Sequence, residues 1–279
     1  MADIANALGE CTIALQGGHI THFCPRGQAP LIWVSERAKF VPGKAIRGGV
    51  PVCWPWFGPS ALNAKLPAHG IARTAVWQVL EAKALPDGQT FVRLVLPDTP
   101  SSRALWPYPA CAELEITVGS SLTLTLVTRN TGTQAVVVGE ALHTYFAISD
   151  VGNISLSGLD GVDYLDKVDA GARKTQLGPI EIDREVDRVY LGTSRDCLIE
   201  DRGLQRRIHI ASTGASATVV WNPWVDKTSQ MDDLAPEGYR RMLCVETANA
   251  ADHVVTVLPG TEHRMSATYS VEGFGISEV

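Results

Sequence analysis

The stretch Ser-Leu-Thr-Leu-Thr-Leu-Val-Thr (121–128) alternates apolar and polar residues almost without interruption. Successive side chains of an extended strand point to opposite faces of a sheet, so Leu122, Leu124 and Leu126 share one face and the threonines between them share the other. Alternation of this kind is typical of a strand with one buried face. The stretch therefore predicts a β-strand at the core of a sheet.

Several other segments have the same character, since they are short, rich in β-branched or aromatic residues, and bounded by turn-forming residues. They are Thr90–Leu96, Ala112–Val118, Gln134–Gly139, Asn153–Ser157, Arg207–Ile210, Ala217–Trp221 and Arg264–Val271, with a further strand-like run at Thr74–Leu80. No long window shows a helical stripe, and we expect at most single helical turns near 36–40 or 101–105. The chain is therefore predicted to be all-β, folded as a large antiparallel sandwich or barrel.

Composition limits the domain organisation and the classes of partner. The chain has 279 residues, with 24 Lys and Arg against 30 Asp and Glu, which gives a net charge of −6. An acidic balance disfavours nonspecific binding to nucleic acid or to an anionic membrane, so any anion must be bound by locally concentrated positive charge. Because the hydrophobic pattern continues without a break in composition, we expect one domain over residues 1–279.

The amino terminus and the cysteines bear on location. The Met-Ala-Asp start has neither a basic segment nor an apolar one, and no apolar run approaches the roughly 18 residues of a membrane span, so we expect a cytoplasmic protein. Cysteines at positions 11, 24, 53, 111, 197 and 244 are scattered, with no short Cys/His spacing of the zinc-site kind. Free thiols and no metal site are the simplest interpretation.

Two isolated polar residues are the first candidates for chemistry. Glu246 ends the apolar run of Cys-Val-Glu-Thr-Ala-Asn-Ala (244–250), and His143 stands among apolar residues in Ala-Leu-His-Thr-Tyr-Phe (141–146). Burying such a group is costly unless it gains partners, so each either makes a structural hydrogen bond or belongs to a site. We favour a site in which one residue gives a proton and the other takes it.

Two irregular segments could bind an anionic ligand. Arg47 precedes Gly48 and Gly49 in an aromatic-rich stretch, and His69 and Arg73 flank a glycine further on. Two guanidinium groups in one pocket could clamp a phosphate, because arginine offers a rigid fork of donors to oxyanions. The alternatives are a tight turn, solvated arginines and a buried histidine with a structural partner.

Six blocks in the same order resemble the D-hexose-6-phosphate mutarotases, also called glucose-6-phosphate 1-epimerases, of the aldose 1-epimerase superfamily. The blocks are Ile-Arg-Gly-Gly-Val-Pro (46–51), His-Gly-Ile-Ala-Arg (69–73), Leu-His-Thr-Tyr-Phe (142–146), Glu-Val-Asp-Arg-Val-Tyr (185–190), Val-Trp-Asn-Pro-Trp (220–224) and Cys-Val-Glu-Thr-Ala (244–248). The resemblance implies a β-sandwich of the galactose-mutarotase-like type. It also implies interconversion of the α and β anomers of a hexose 6-phosphate, with glucose 6-phosphate the expected substrate.

The same resemblance implies roles for individual residues. His143 and Glu246 match the catalytic histidine and glutamate of the family, while Arg47 and Arg73 match positions that bind the sugar phosphate. Asp187 matches a carboxylate that contacts sugar hydroxyls, and His69 lies beside the phosphate-binding positions. Without the resemblance, Asp187 would be interpreted as a turn or capping residue.

Some positions stay outside this set of site residues. Where relatives often carry glutamine before the equivalent of His69, this chain has Ala68, which leaves a contact to the sugar missing or replaced. Asn222, Trp224, Asp226 and Asp232 lie in an irregular stretch in which an aromatic ring could stack on a sugar, although Asn-Pro-Trp is equally consistent with a structural turn.

Mutarotation needs a base near O1 of the sugar and an acid near O5, and it requires no metal or redox cofactor. To act as the acid, His143 must carry a proton, and we expect Glu246 to hold its pKa up. The expected partner is a small-molecule sugar phosphate, and the expected oligomeric state is a monomer. The alternatives are an aldose 1-epimerase acting on unphosphorylated sugar, a non-catalytic carbohydrate-binding sandwich and, less consistent with a single isolated acid, a glycoside hydrolase.

Overall fold

The structure is a computed structural model that describes residues 1–60, 63–193 and 195–274. Its first ten strands are β1 (Ala2–Ala5), β2 (Gly9–Ala14), β3 (His19–Pro25), β4 (Val52–Cys53), β5 (Gln78–Ala84), β6 (Thr90–Val95), β7 (Ala110–Val118), β8 (Leu122–Asn130), β9 (Val136–Val138) and β10 (Glu140–Leu142). The remaining strands are β11 (Tyr145–Ala147), β12 (Ile154–Ser157), β13 (Asp163–Asp166), β14 (Ala172–Thr175), β15 (Val186–Leu191), β16 (Cys197–Asp201), β17 (Arg206–Thr213), β18 (Ala217–Asn222), β19 (Met242–Asn249), β20 (Val255–Val257) and β21 (Glu262–Gly273).

Helical structure is limited to short segments. The two α-helices are α1 (Pro100–Leu105) and α2 (Trp224–Thr228). Single 3-10 turns lie at Ala72–Thr74, Val151–Asn153, Lys167–Asp169, Gly238–Arg241 and Ala251–His253. Among the described residues, none of these helices has the length and apolar character needed to cross a membrane. The prediction of an all-β chain is confirmed.

Two large antiparallel sheets build the molecule. The first, here called the site sheet, has the order β14-β13-β15-β18-β19-β10-β4, with β11 also paired to β19. The second, here called the back sheet, has the order β12-β16-β17-β21-β8-β7-β6-β5. Smaller sheets are formed by β1-β2-β3 and by β20-β9.

The leucine alternation in β8 works as the sequence predicts. Leu122, Leu124 and Leu126 are at most 1% exposed and belong to the large buried cluster. On the other face, Thr123 and Thr125 make hydroxyl hydrogen bonds to β21, at 2.9 Å to Thr268 and 2.8 Å to Ser266. The same residues thus supply both the apolar core and the polar cross-strand contacts.

The core lies between the two large sheets. Its buried cluster combines side chains of β7 and β8 with side chains of β15, β18 and β19. A polar link crosses it where the hydroxyl oxygens of Thr144, just after β10, and Tyr269, on β21, lie 2.6 Å apart. This cluster, the largest of the three described, takes side chains from both large sheets, which supports our proposal that the chain is a single domain.

Local differences from the sequence predictions have simple causes. Of the two places where at most a single helical turn is expected, 36–40 holds only a turn at residues 36 and 37, and 101–105 corresponds to α1. The strand expected at Thr74–Leu80 begins only at Gln78, since a 3-10 turn occupies Ala72–Thr74. Thr99 caps α1 through its hydroxyl, which accepts a hydrogen bond from the amide of Ser102.

Candidate active site

An interruption in the site sheet sets the position of His143. The segments β10 and β11 both pair with the continuous strand β19, at Leu142 opposite Thr247 and Tyr145 opposite Cys244. Between them, the carbonyl of Thr144 still accepts from the amide of Val245 at 3.3 Å, whereas the amide of His143 donates to the carbonyl of Pro51 at 3.0 Å. His143 therefore lies in a break between strands, where its side chain can turn towards β19.

That break places His143 beside Glu246, which lies within β19. Nε2 of His143 is 3.4 Å from Oε1 of Glu246, an ion-pair distance that is longer than an ordinary N–H···O hydrogen bond. The Glu246 side chain is 1% exposed and that of His143 is 12% exposed. Among the described residues, Oε2 of Glu246 and Nδ1 of His143 have no hydrogen-bond partner. Buried polar atoms without partners are unusual, and ligand hydroxyls could satisfy them.

Burial controls the protonation of this pair. Removal from water raises the pKa of Glu246 well above its ordinary value of 4.5, although the charges of Lys167 and Arg73 oppose the shift. Burial also lowers the pKa of His143 well below 6.5, and His69, Arg73 and Arg47 add to that effect. The expectation that Glu246 holds the pKa of His143 up is therefore wrong, because burial and the basic neighbours of His143 lower that pKa. One proton shared by the pair, with no net charge, is the favoured state.

Aromatic rings line one side of the pair. Tyr145 stacks on the His143 ring, and Trp221 meets both rings edge-on. Trp221 lies opposite Asp187 in the β15–β18 ladder, so both project from the same face of the site sheet. These rings provide flat apolar surface next to the acid–base pair.

Arg47 is fixed by the double glycine that follows it. Gly48 and Gly49 have φ values of 101° and 71°, and a Cβ at Gly49 would lie 2.1 Å from Nε2 of the buried His19. That nitrogen is also 2.8 Å from the carbonyl oxygen of Gly48. The arginine Nε donates to Asp233 at 3.1 Å and Nη1 to the hydroxyl of Tyr145 at 3.0 Å. The backbone conformation of Gly48 and Gly49 therefore directs the Arg47 guanidinium into the site.

His69 and Arg73 enter the site from the second irregular segment. His69 has a φ of 63°, and its ring lies edge-on to Phe57 and His143. Burial, with Arg73 as the next cause, lowers the pKa of His69 to about 3, so its imidazole is neutral. Arg73 donates to the carbonyl oxygen of Ala68 at 2.8 Å. The backbone of Ala68 thus orients the arginine, whatever its side chain contributes.

Asp187 faces the site from within β15. Its interpretation as a turn or capping residue is wrong, since it belongs to a strand paired on both sides. Burial raises its pKa, while Lys167 and Lys227 oppose the shift. Nζ of Lys167 lies 3.8 Å from Oδ1 of Asp187 and 5.3 Å from the centre of the Phe57 ring.

All six residues singled out from the sequence line one cavity of about 410 Å³, a volume suited to a small molecule. They are Arg47, His69, Arg73, His143, Asp187 and Glu246. Four cationic side chains, those of Arg47, Arg73, Lys167 and Lys227, face this cavity together with the acids Asp187, Asp233 and Glu246, so cations are concentrated here in a chain of net charge −6. Local concentration of positive charge is what binding of an anion requires.

Sequence reasoning missed Tyr145, Lys167, Trp221, Lys227 and Asp233, which also line the cavity. The partnership of Trp221 with Asp187 follows from strand register, which a single sequence does not display. The two lysines carried no local signal, since exposed lysines are ordinary. Tyr145 lay within the quoted block around His143 but was interpreted as part of the apolar run.

Other residues considered from the sequence have structural roles. Asn222 is buried and donates to the carbonyls of Tyr239 and Met242, at 2.8 and 2.9 Å. Asp232 pairs with Lys39 at the surface. Of the aromatic residues near Gly48, Trp54 and Trp56 join the core and only Phe57 reaches the cavity.

Comparison with known proteins agrees with this arrangement. Residues 2–270 match the family model described as aldose 1-epimerase. A protein of Cenchrus ciliaris provisionally named glucose-6-phosphate 1-epimerase is 36% identical over 261 residues, covering 90% of this chain and 78% of that protein. An Escherichia coli K12 protein with the same provisional name is 35% identical over 245 residues, covering 87% and 81%. The crystal structure of a provisional mutarotase from Salmonella typhimurium superimposes with a TM-score of 0.91 at 30% identity, covering 97% of this chain and 90% of that one.

Proposed function

This chain belongs to the aldose 1-epimerase family, and from that premise we propose that it is an isomerase that interconverts the α and β anomers of a hexose 6-phosphate, with glucose 6-phosphate the expected substrate. The observation that carries the proposal is the His143–Glu246 pair facing a cavity with four cationic side chains. The pair supplies acid–base chemistry, and the cations supply recognition of the phosphate. Neither feature alone would distinguish a hexose phosphate from other ligands.

In the proposed reaction, the carboxylate of Glu246 takes the proton of the O1 hydroxyl while the imidazolium of His143 gives a proton to O5. The C1–O5 bond breaks, C1=O1 forms, and the open-chain aldehyde rotates about the C1–C2 bond. Ring closure from the other face of C1 returns both protons to their original groups. No proton is gained or lost over the cycle, and each positioned group contributes about 10²–10⁴-fold to the rate.

The shared proton fits this reaction. Burial favours the tautomer with the proton on Glu246 and a neutral His143, whereas the reaction begins from the ionised tautomer. The two tautomers hold the same number of protons, so they differ only in where the proton lies. A bound sugar favours the ionised form, because its O1 hydroxyl donates to the carboxylate and its O5 accepts from the imidazolium. Substrate binding thus prepares the pair for catalysis.

The phosphate is proposed to bind Arg47 and Arg73, and Asp187 to accept from sugar hydroxyls, with His69 beside them. Binding energy at the remote phosphate orients C1 between the acid and the base. An unphosphorylated sugar would lack that anchor. Kinetics on glucose and glucose 6-phosphate side by side therefore separate this proposal from a general aldose 1-epimerase.

Exchange NMR on the equilibrium mixture of α- and β-glucose 6-phosphate tests the proposal directly. The wild-type protein should produce exchange between the anomeric signals well above the spontaneous rate, and Glu246→Gln and His143→Ala should return it to that rate. Binding of the sugar phosphate without faster exchange would instead indicate a non-catalytic sandwich.

We further propose that the protein acts as a cytoplasmic monomer on a small-molecule substrate. All six cysteines are free thiols in the structure, which is the usual state in a reducing compartment. Light scattering during size-exclusion chromatography measures the oligomeric state, and a mass near twice 30.0 kDa would contradict a monomer.

A further inference from the structure

A third donor lies beside the acid–base pair. A ring nitrogen of His143, Sγ of Cys244 and a carboxylate oxygen of Glu246 all lie within 4.8 Å of one another. Cys244 and Glu246 are two residues apart on β19 and therefore project from the same face of the sheet. No short Cys/His spacing in the sequence marks this cluster, because His143 reaches Cys244 and Glu246 only through strand pairing.

The three donors are of the types that bind zinc. Thiolate, imidazole and carboxylate ligands bind Zn²⁺ with bond lengths of about 2.0–2.3 Å, so ligand atoms around a tetrahedral ion are separated by roughly 3.5 Å. The 3.4 Å between Nε2 of His143 and Oε1 of Glu246 already meets that separation. The sulfur of Cys244 lies within 4.8 Å of a ring nitrogen of His143 and of a carboxylate oxygen of Glu246, so side-chain rotations that bring it closer by at most about 1.3 Å would complete the set. Three protein ligands would leave one position open.

A second observation points to a missing ligand at this place. Glu246 is 1% exposed, yet its Oε2 has no hydrogen-bond partner among the residues described. A buried carboxylate oxygen without a partner is costly, and coordination of a cation would remove that cost. The sugar substrate and a metal ion would therefore compete for the same two side chains.

Cys244 distinguishes the two ligands. Its side chain is fully buried between its ladder neighbours Tyr145 and Trp221, and it does not line the cavity that the sugar is proposed to enter. The sugar would contact His143 and Glu246 from the cavity, whereas a metal would also bind the sulfur beneath them. Replacement of Cys244 should thus affect metal binding and leave the reaction unchanged.

We propose that His143, Cys244 and Glu246 form an inhibitory site for a thiophilic divalent cation of the zinc type, which excludes the sugar when it binds. Inhibition as a readout rests on the proposed function, but metal binding does not. Hard cations such as Mg²⁺ prefer oxygen ligands and should have no effect at this site.

The test uses the purified full chain in a buffer without phosphate. Zn²⁺ binding is measured by calorimetry, and Cd²⁺ binding by the ultraviolet charge-transfer band of the cadmium–thiolate bond. Cys244→Ser should weaken Zn²⁺ binding at least about tenfold, since even loss of an outer-shell partner costs 10–100-fold. Cys111→Ser is the matched control and should bind as wild type does. Cys244→Ala replaces the serine variant if thermal unfolding shows the latter to be destabilised.

Kinetics complete the test. Zn²⁺ should inhibit anomer exchange competitively with glucose 6-phosphate, and Cys244→Ser should keep its basal rate while losing most of that inhibition. Equal Zn²⁺ affinity in the wild type and both Cys244 variants would overturn the proposal, as would inhibition by Mg²⁺ of similar strength. If the protein shows no exchange activity, the proposed function is contradicted. Calorimetry on the wild type and the Cys244 variants still tests the metal site in that case.

Discussion

The imidazole ring of His143 lies parallel to the phenol ring of Tyr145, with an interplanar angle of 8° and 5.0 Å between the ring centroids. The phenol hydroxyl in turn accepts a hydrogen bond from Nη1 of Arg47 at 3.0 Å. One side chain therefore contacts the proposed acid through its face and a proposed phosphate ligand through its hydroxyl. The two functions of the site, proton transfer and anion binding, meet at Tyr145.

Tyr145→Phe should separate these two contacts. The ring stack is retained, but Arg47 loses a hydrogen bond worth about 1 kcal/mol and becomes less well oriented. We expect KM for glucose 6-phosphate to rise about fivefold with kcat nearly unchanged, measured by anomer-exchange kinetics. Tyr164→Phe, on β13, is the control. A fall in kcat with an unchanged KM would show that the hydroxyl serves the chemical step instead.

Glu246→Gln should abolish catalysis and stabilise the fold at higher pH. Burial raises the pKa of Glu246 above 4.5, so the folded protein binds more protons than the unfolded chain between 4.5 and the raised pKa. Wild-type stability therefore falls as pH rises through that window, whereas the variant has no carboxylate to ionise. Denaturant unfolding at several pH values should show that the free energy of unfolding of the variant increases relative to that of the wild type as pH increases. A constant difference would argue against the raised pKa.

Arg73→Ala should discriminate between substrates. Loss of a charge-assisted contact to phosphate costs about 1.5–3 kcal/mol, or roughly 10–100-fold in kcat/KM for glucose 6-phosphate. Glucose has no phosphate, and its slow turnover should change little. Arg103→Ala, on the exposed face of α1, controls for loss of a surface charge. An equal loss on both sugars would show that Arg73 has a structural role.

Lys167→Met should move the basic limb of the pH–rate profile to higher pH. The charge of Lys167 is the first of those opposing the raised pKa of Glu246, and its Nζ also lies 3.8 Å from Asp187. Without it, the proton of the pair is lost only at a higher pH, so the active one-proton state persists further as pH increases. Lys167→Arg should restore the profile. An unshifted limb in the methionine variant would exclude an electrostatic role.

His69→Asn should reduce the loss of stability on acidification. Burial lowers the pKa of His69 from 6.5 to about 3, so the unfolded chain binds the additional proton in that range and wild-type stability falls as pH decreases. Asparagine tolerates the φ of 63° at this position and cannot be protonated. Thermal unfolding at pH 7 and pH 4.5 should show a smaller decrease in melting temperature for the variant than for the wild type. His209→Asn, on β17, should behave as wild type.

The sequence predicts the fold well where strands are long. The leucines of β8 and the runs in β6, β7 and β21 of the same sheet repeat with the period of a half-buried strand, which is a local property. Short strands such as β4, β10 and β11 contain only two or three residues, too few to show a period. Their existence depends on pairing, of β10 and β11 with β19 and of β4 with β10, which is a tertiary property.

The site residues likewise fall into those that a local sequence pattern indicates and those that depend on tertiary pairing. His143 and Glu246 stand out because each is a lone polar residue among apolar neighbours, and that contrast is local. Lys167 and Trp221 become site residues only through the register of β13, β15 and β18, and nothing near them in the sequence indicates it. The direction of the His143 pKa shift also depends on burial, and a sequence pattern does not measure how completely a pair is removed from water.

Thr144, the residue next to His143, makes a hydroxyl hydrogen bond to Tyr269 of the back sheet. The two layers cannot slide apart without pulling that histidine away from its carboxylate partner. Loss of activity on heating should consequently occur at the same temperature as unfolding. No folded but inactive intermediate should accumulate.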